Sequence, residues 1–406
     1  MRLLRENYMR MIRPYYEADL IKVITGVRRA GKSVILESIR DELSASGISD
    51  DHLIYINLED LDYEGIRTAQ DLNREVKTFI TDADRYYLFI DEIQHVDSFE
   101  KALASFRATL NASIFVTGSN SQLLSGELAT LLTGRTVEFE ILPFSFSEMK
   151  DYLNLQGLPF HDDMIYDYLK WGGFPVRFDF REEADIHRYL SNLYTGILNR
   201  DILTKKSRID RKIFMDIAMY MLSNAGKEFS AESIMDYYQK KNHRSVSQRT
   251  VYNYIEKMQK AFLLQPVQKY DIVGKTALQS KQKYYAVDTG FRTIHTNTIN
   301  YEDTFFLENI VYNELLFQGF TVFTGKTHKG EVDFVAIRNG KKCFIQVSYL
   351  LASQRTIERE FGAFAPITDA SPKYVLSLDR VDLSRNGIAH LNIVDFLLHR
   401  QTLALT

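Results

Sequence analysis

Residues 20–43 read LIKVIT GVRRAGKS VILESIRDEL. The first six residues form an apolar run rich in β-branched side chains, which predicts a buried strand. The last ten carry Ile35, Leu36 and Ile39 at helical spacing, which predicts an amphipathic helix. The eight residues between them have the pattern G-x-x-x-x-G-K-S. A strand, a glycine-rich loop and a helix in this order predict a phosphate-binding loop within an α/β sheet.

The residue types in this loop suit a nucleoside triphosphate and magnesium. Glycines let the backbone wrap around a phosphate, and the loop N–H groups and the helix N-terminus supply positive potential. We expect Lys32 to bridge the β- and γ-phosphates and the Ser33 hydroxyl to bind Mg²⁺. The predicted cofactors are therefore ATP and Mg²⁺. The predicted nucleotide-binding residues are Gly26, Val27, Arg28, Arg29, Ala30, Gly31, Lys32, Ser33 and Val34.

A second apolar run, YYLFI at 86–90, ends in two carboxylates, Asp91 and Glu92. Charges at the C-terminal end of a parallel strand lie in the crevice where α/β sheets bind ligands. Asp91 is therefore predicted to hold Mg²⁺ through water. Glu92 is predicted to act as the general base that polarises the attacking water.

A third apolar run, 112–116, is followed by the polar residues TGSN. Ser119 or Asn120 is predicted to orient the attacking water or to sense the γ-phosphate, and an ordinary turn is the alternative. Arg135 has two interpretations. It is an arginine finger that reaches the nucleotide of a neighbouring subunit, or it forms a surface ion pair. The predicted catalytic residues are Glu92, Lys32, Arg135 and Asn120.

The order of these motifs extends along the chain as GVRRAGKS, LFIDEI, VTGSNSQLLS, LLTGR, LPFSFSEM and WGGFP. It resembles the AAA-superfamily ATPases of bacteria and archaea that carry a C-terminal domain of unknown function, and the similarity covers essentially the whole chain. The resemblance implies a magnesium-dependent P-loop ATPase with an additional helical lid. In this lid Gly172–Pro175 would form a turn between helices. Arg200 matches a further motif, as a sensor arginine or as a local ion-pair partner.

The middle of the chain has the element order of a winged helix. A helix is predicted at 211–225, and two further helices follow, with Ser230 and Ser247 as their N-caps. Two strand-like segments come next, at 265–272 and 281–287. Helix, turn, helix and hairpin is the winged-helix order, in which the second helix of the pair enters the major groove of DNA.

Local charge supports a nucleic-acid partner for this segment. The whole chain has a formal net charge of -3, which carries no bias towards DNA. Residues 227–283, however, contain 11 Lys or Arg against 5 acidic residues, a local charge of +6. A solvated or protein-binding face is the alternative interpretation. The predicted DNA contacts are Lys241, Arg244, Gln248, Arg249, Tyr252, Asn253, Lys275, Lys281 and Lys283.

The C-terminal third reads helix, strand, strand, an Asn339-Gly340 turn and a further strand. This pattern resembles the core of the PD-(D/E)xK nucleases. The resemblance places Glu308 on the first helix, Asp333 in the EVDF segment, and Gln346-Val347-Ser348 where the family has E-x-K. A metal ligand and the lysine that orients the attacking water are thus missing. We predict that nuclease activity is absent and that Glu308, Asp333, Gln346 and Ser348 form a degenerate site.

The sequence predicts an α/β protein in four segments. They are a P-loop ATPase core with a parallel sheet (1–150), a helical lid (151–208), a winged-helix domain (209–295) and a restriction-endonuclease-like domain (296–406). Composition, at 45% hydrophobic and 25% charged residues, excludes a disordered or fibrous chain. The single cysteine, Cys343, excludes an intramolecular disulfide framework. The chain has no targeting segment and no run long enough to span a membrane, so a cytoplasmic protein without a membrane partner is expected.

The leading functional hypothesis is a homo-oligomeric, Mg²⁺-dependent ATPase that couples hydrolysis to DNA binding or remodelling. A first alternative is a nucleotide-gated oligomeric switch in signalling or defence, with slow turnover. A second alternative is an ATP-assisted, metal-dependent nuclease.

Overall fold

The structure, a computed structural model, describes residues 2–119, 132–203, 209–295, 304–328 and 330–405, with only the backbone for 278–282. The chain divides into two compact units. The first comprises Met1–Leu142 and Lys260–Phe262, and the second comprises Pro143–Gln259 and Leu263–Thr406. Among the described residues, no helix combines the length and the apolar character needed to cross a bilayer.

The first unit is built on a five-stranded sheet with the strand order β2-β3-β4-β1-β5, and all of its described strand pairs are parallel. The central strands β1 and β3 are buried along their whole length, which is typical of a parallel sheet covered on both faces. The strands are β1 (Ile21–Thr25), β2 (Leu53–Asn57), β3 (Tyr86–Asp91), β4 (Ala112–Thr117) and β5 (Thr136–Glu140). The helices are α1 (Glu6–Ile12), α2 (Lys32–Ala45), α3 (Ala69–Phe79) and α4 (Phe99–Thr109).

The order of the strands decides which loops of this unit lie next to one another. Strand β4 lies between β1 and β3, with Val23 paired to Val116 and Ile90 also paired to Val116. These side chains join one apolar core with Leu72 of α3 and Leu103 of α4. Because the three strands are parallel, the segments that follow them emerge at the same edge of the sheet.

The second unit begins with helices and continues into a mixed sheet. Its helices are α5 (Phe146–Leu155), α6 (Ile165–Trp171), α7 (Glu183–Ile197), α8 (Arg211–Ser223), α9 (Ala231–Asn242), α10 (Gln248–Lys260), α11 (Gly290–Thr293), α12 (Thr304–Phe317), α13 (Gln354–Gly362) and α14 (Ile393–Leu397). Its strands are β6 (Leu264–Asp271), β7 (Thr276–Ala286), β8 (Thr321–Lys326), β9 (Glu331–Arg338), β10 (Lys341–Val347), β11 (Lys373–Ser377) and β12 (Ala389–Asn392).

These seven strands form a single sheet in the order β12-β11-β10-β9-β8-β6-β7. The hairpin β6–β7 joins it because β6 pairs in parallel with β8, from Lys269 opposite Thr324 onward. The β9–β10 hairpin turns at Asn339 and Gly340, which have positive φ angles of 52° and 75°. Such angles are those of a two-residue type I′ turn, for which Asn-Gly is the preferred sequence.

One core connects the early helices of the second unit with its sheet. Phe146 of α5 and Leu169 of α6 share this core with Leu307 of α12 and Phe334 of β9. Apart from Lys260–Phe262, which belong to the first unit, the described residues predicted as a lid, a winged helix and a nuclease-like segment therefore fold within the same compact unit. The apolar faces of α5 and α6 are buried against the elements of this unit.

The WGGFP segment makes a close backbone turn after α6. A Cβ atom on Gly172 would lie 1.7 Å from Asp288 Oδ1, and one on Gly173 would lie 2.0 Å from the Phe144 carbonyl oxygen. The buried Asp288 carboxylate accepts hydrogen bonds from the backbone N–H groups of Gly173, at 2.6 Å, and Gly290, at 2.8 Å. Burial raises the pKa of Asp288 to about 6. Only glycine leaves room for this arrangement.

We expect Gly173→Ala to lower the unfolding free energy by about 1–3 kcal/mol, because the new methyl group meets fixed backbone atoms. Gly196→Ala is the matched control. A Cβ atom at Gly196, inside α7, would meet nothing within 4 Å. That change should stabilise the protein by up to about 1 kcal/mol, the helix propensity difference between the two residues. Thermal unfolding midpoints check both, and a Gly173→Ala midpoint at or above the wild-type value would contradict the packing argument.

Candidate functional site

The glycine-rich loop between β1 and α2 has a tightly constrained backbone. Gly26 has φ 133°, and a Cβ atom there would lie 2.2 Å from the Ile141 carbonyl oxygen. Gly31, with φ 101°, immediately precedes α2 and lets the chain turn into the helix. The loop therefore wraps closely, with its N–H groups and the N-terminus of α2 available for an anion.

Lys32 and Ser33 occupy the first two positions of α2. The buried Lys32 ammonium donates to the carbonyl oxygens of Gly26, at 3.1 Å, and Val27, at 3.3 Å. The lysine side chain therefore contacts the backbone of the predicted phosphate-binding loop. Of the two loop arginines, Arg28 is largely buried, whereas Arg29 is exposed at a positive φ of 67°.

Sequence reasoning missed Arg5, a buried residue whose side chain donates a hydrogen bond to the backbone of this loop. Arg5 is only 1% exposed. It donates to the Ala30 carbonyl oxygen and to the Leu142 carbonyl oxygen, each at 2.9 Å, and it stacks on the Tyr8 ring at 4.6 Å. A permanent cation is therefore buried beside the phosphate-binding loop. Nothing in the local pattern around Arg5 signals this role, because its partners lie 25 and 137 residues away.

Asp91 ends β3 at the same sheet edge and is held by two hydroxyl groups. Thr117 Oγ1, at the end of β4, donates to Asp91 Oδ1, and the Tyr55 hydroxyl donates to Asp91 Oδ2 at 3.3 Å. Burial, together with the neighbouring carboxylate, raises the pKa of Tyr55 well above its ordinary value, so the phenol remains a donor. Asp91 is consequently fixed with its oxygens facing hydroxyl donors.

Glu92 follows in the left-handed conformation, with φ 56°. Its backbone N–H donates to Thr117 Oγ1 at 2.9 Å, so that hydroxyl connects both acidic residues. The side-chain Oε2 accepts hydrogen bonds from Gln94 Nε2 and, at 3.3 Å, from Ser119 Oγ. Gln94, which the sequence analysis did not select, is thus part of the site.

This donor set fits a nucleoside triphosphate with Mg²⁺. The Ser33 hydroxyl and the Asp91 carboxylate are oxygen ligands of the kind that Mg²⁺ prefers. Lys32 and the N-terminus of α2 suit phosphate oxygens, and Glu92 is a carboxylate, a group that is able to accept a proton.

The remaining predicted residues of the first unit fall into different surroundings. Arg135 lies in the turn before β5 and is exposed, and its carbonyl oxygen accepts a hydrogen bond from Ile21 N–H at 2.9 Å. Asn120 lies outside the described residues. In the second unit, Arg200 lies in a π-helical turn, Leu198–Ile202, that follows α7.

Six residues of the predicted DNA-contact set are exposed on α9, on α10 or in the segment between these helices, and they are here called the α9–α10 face. Ser230 Oγ caps α9 through Ser233 N–H, and Ser247 Oγ caps α10 through Thr250 N–H. Tyr252 on α10 is 48% exposed and packs edge-on against Phe229. The exposed members of the face are Lys241, Arg244, Gln248, Arg249, Tyr252 and Asn253.

The hairpin lysines differ from the expectation. Lys275 is exposed in the β6–β7 loop, and the side chain of Lys281 lies outside the described part of the chain. Lys283, predicted near the wing surface, is instead 7% exposed and pairs with Glu308 at 3.7 Å. Lys269 is likewise buried between Glu228 and Glu331. Lys283 is buried because β7 belongs to the large sheet, where this side chain pairs with Glu308 of α12.

An open pocket of about 630 Å³ contains three of the four residues of the predicted degenerate site. Glu308, Asp333 and Gln346 line it together with Glu360 of α13. Ser348 lies elsewhere, buried past the end of β10, where its N–H donates to the Leu376 carbonyl oxygen at 2.9 Å.

Glu360 is an acidic group of this pocket that sequence reasoning missed. Gln346 Nε2 donates to Glu360 Oε2 at 2.9 Å, and Gln346 Oε1 accepts from Asp333 N–H at 3.3 Å. Asp333 Oδ2 accepts from Val347 N–H at 2.8 Å. Burial raises the pKa of Asp333 to about 6 against the opposing effect of the Lys283 cation. The pocket is therefore lined by four carboxylates, those of Glu308, Glu331, Asp333 and Glu360, and the buried Lys283 pairs with one of them, Glu308.

The fold and the loop chemistry of the first unit define a P-loop domain of the AAA superfamily. The family described as an AAA domain matches residues 18–150, and a domain of unknown function matches residues 162–301. An uncharacterized protein of Haemophilus influenzae is 33% identical, over 97% of this chain and 98% of that protein. An uncharacterized protein of Methanocaldococcus jannaschii is 32% identical, over 89% of this chain and 81% of that protein. The chain belongs to the family of these two proteins.

A solved structure supports the fold assignment. The Walker-type ATPase of Pyrococcus abyssi aligns with a TM-score of 0.52 over 72% of this chain and 96% of that chain. The identity is 17%, so the similarity concerns the fold.

Proposed function

We propose that this chain is a Mg²⁺-dependent ATPase that forms homo-oligomers and couples hydrolysis to binding or remodelling of DNA. The observation that carries the ATPase part is the sheet edge at which the glycine-rich loop, with Lys32 and Ser33 at the start of α2, follows β1, next to β4 and in the same sheet as β3. Asp91 and Glu92 are held there by Thr117. This is the set of groups that phosphoryl transfer to water requires.

Each group has a separate task. The loop N–H groups and Lys32 bind and orient the phosphates, and Ser33 with Asp91 would hold Mg²⁺. The bound ion supplies charge neutralisation of the phosphate oxygens. Glu92 takes the proton of the attacking water, and its hydrogen bonds from Gln94 and Ser119 keep the carboxylate oriented. Arg135, which is exposed, is proposed to act on the nucleotide of a second subunit in the oligomer.

Two variants test the ATPase assignment. Lys32→Ala should abolish nucleotide binding, because it removes the cation that holds the phosphates. Glu92→Gln should bind ATP as tightly as the wild type while turnover falls by about 10²–10⁴-fold, the usual contribution of a general base. Nucleotide affinity and steady-state phosphate release measure the two effects separately. A Glu92→Gln protein with wild-type turnover would show that another group is the base.

The DNA part of the proposal rests on the α9–α10 face. Helix α10 buries Val251, Tyr254, Ile255 and Met258 and presents its opposite side to solvent. Arg249 near its N-terminus can contact phosphate or guanine, and Tyr252 offers an exposed ring. The alternative is that this face binds another protein. Measuring ATP turnover with and without DNA separates the two functions, because DNA should stimulate a DNA-coupled ATPase but not a nucleotide-gated switch.

Arg249→Ala should weaken binding to duplex DNA, and the slope of log K against log salt should become shallower by about 1 if the contact is to phosphate. The control is Arg188→Ala on α7, whose side chain is 75% exposed and outside this face. Fluorescence anisotropy at several salt concentrations measures both. Equal DNA affinity and equal salt slopes for wild type and Arg249→Ala would remove the α9–α10 face as the DNA-binding surface.

A second candidate function is metal-dependent cleavage of a phosphodiester in the C-terminal pocket. The observation that favours it is the contribution of Glu360 and Lys283, which bring a carboxylate and an ammonium near Glu308 and Asp333. These are the two chemical groups that the Gln346-Val347-Ser348 segment lacks. They come here from α13 and β7.

If the pocket is catalytic, nicking of supercoiled plasmid with Mg²⁺ or Mn²⁺ should be lost in Glu360→Gln. Glu358→Gln, an exposed position on the same helix, should leave it unchanged. Cleavage should also fall as pH drops below about 6, because Asp333 must lose its proton to bind a cation and its pKa is raised to about 6. Absence of nicking by the wild type with either metal would exclude this function and leave the pocket as a degenerate site.

A further inference from the structure

Arg28, the third residue of the phosphate-binding loop, extends away from the loop towards the ends of β2 and β4. Its side chain is 13% exposed, and Nη1 pairs with Glu59 Oε1 at 3.2 Å. Its other terminal nitrogen, Nη2, donates to Ser119 Oγ at 3.5 Å. Arg29, the next residue, is exposed instead. The two adjacent arginines, equivalent in the sequence pattern, therefore have different surroundings.

Ser119 lies at the point where Arg28 and Glu92 meet. It is 1% exposed and follows β4 by two residues. Its hydroxyl oxygen accepts from Arg28 and, at 3.4 Å, from Gln94 Nε2, and its single proton goes to Glu92 Oε2 at 3.3 Å. A serine hydroxyl has one proton and two lone pairs. With two donors facing the oxygen, the proton is directed to the carboxylate.

We infer that Arg28 is a positioning residue that connects the phosphate-binding loop to Glu92 through Ser119. This inference rests on the proposed function, in which Glu92 is the base of ATP hydrolysis. Arg28 orients the Ser119 hydroxyl, and that hydroxyl orients the Glu92 carboxylate. Because Arg28 and Lys32 belong to one loop, a displacement of the loop by phosphate also moves the donor that faces Ser119.

The charges of Arg28 and Glu92 also stabilise this connection. Arg28 carries a permanent charge, and the guanidinium and the Glu92 carboxylate contact the same buried oxygen atom. Hydrogen bonds to charged groups in a site of low exposure are stronger than those between neutral groups, so this connection resists reorientation of the carboxylate. Glu59 holds the guanidinium from its other side and limits the rotamers that Arg28 can adopt.

A double-mutant cycle tests the connection. Arg28→Gln and Ser119→Ala should each lower kcat by about 10-fold, as expected for a group that orients another through a hydrogen bond. The KM for ATP and the affinity for a fluorescent ATP analogue should change by no more than about twofold. The double variant should be no slower than either single variant, because both changes break one connection. Arg28→Lys should recover part of the lost kcat.

The control is Arg67→Gln, an exposed arginine paired with Glu64 outside the site, which should leave kcat unchanged. Additive losses in the double variant, or a loss of ATP affinity as large as the loss of kcat, would overturn the inference, because Arg28 would then act on the nucleotide directly. Wild-type kcat in Arg28→Gln would overturn it as well.

Glu92→Gln is measured beside these variants to separate the two proposals. Wild-type turnover in Glu92→Gln defeats the assignment of the base and the connection together. A Glu92→Gln protein that binds ATP without hydrolysing it, beside an unimpaired Arg28→Gln, defeats only the connection.

Discussion

The parallel pairing of β4 with β1 on one side and β3 on the other is the constraint on which the nucleotide site depends. It brings Gly26, Asp91 and Thr117 to one sheet edge although 91 residues separate the first from the last. The strands are almost fully buried, so a shift of register would move apolar side chains out of the core and misalign the strand ends together. The positions of the phosphate-binding loop and of the two carboxylates are therefore consequences of the packing of the sheet.

In the second unit the comparable constraint is the parallel pairing of β6 with β8. It makes the hairpin part of the seven-stranded sheet, and this placement decides the chemistry of the hairpin lysines. Lys269 and Lys283 become buried, and a buried ammonium is stable only beside compensating charge, which Glu228, Glu331 and Glu308 supply. The positive charge counted along the sequence is thus partly neutralised inside the unit. Of the six counted basic side chains that the structure describes as exposed, three belong to the α9–α10 face, namely Lys241, Arg244 and Arg249.

Features that depend on residues close together in the sequence could be predicted, whereas features that depend on contacts between distant parts of the chain could not. The strand, loop and helix around Lys32 and the carboxylates after β3 depend on local pattern, and the structure has these elements where the pattern places them. Two further features depend only on neighbouring residues. Ser230 and Ser247 cap α9 and α10, and Asn339 and Gly340 form the turn between β9 and β10. Arg5, Glu360 and the surroundings of Lys283 were missed because each depends on contacts between distant parts of the chain. The sharing of one core by α5, α6 and the sheet has the same origin.

Burial then gives a physical criterion that separates the basic residues of this chain into two groups. Arg5, Lys269 and Lys283 have given up hydration, so their carbonyl or carboxylate partners within the chain are obligatory and a partner molecule could reach them only by displacing those contacts. Arg135 and Arg249 keep their hydration, and contact with an anionic group of another molecule costs them little. Because surface charge is inexpensive to redirect whereas buried charge is not, the exposed arginines are the ones that suit the proposed contacts with a second subunit or DNA, and the buried cations stabilise the fold that presents them.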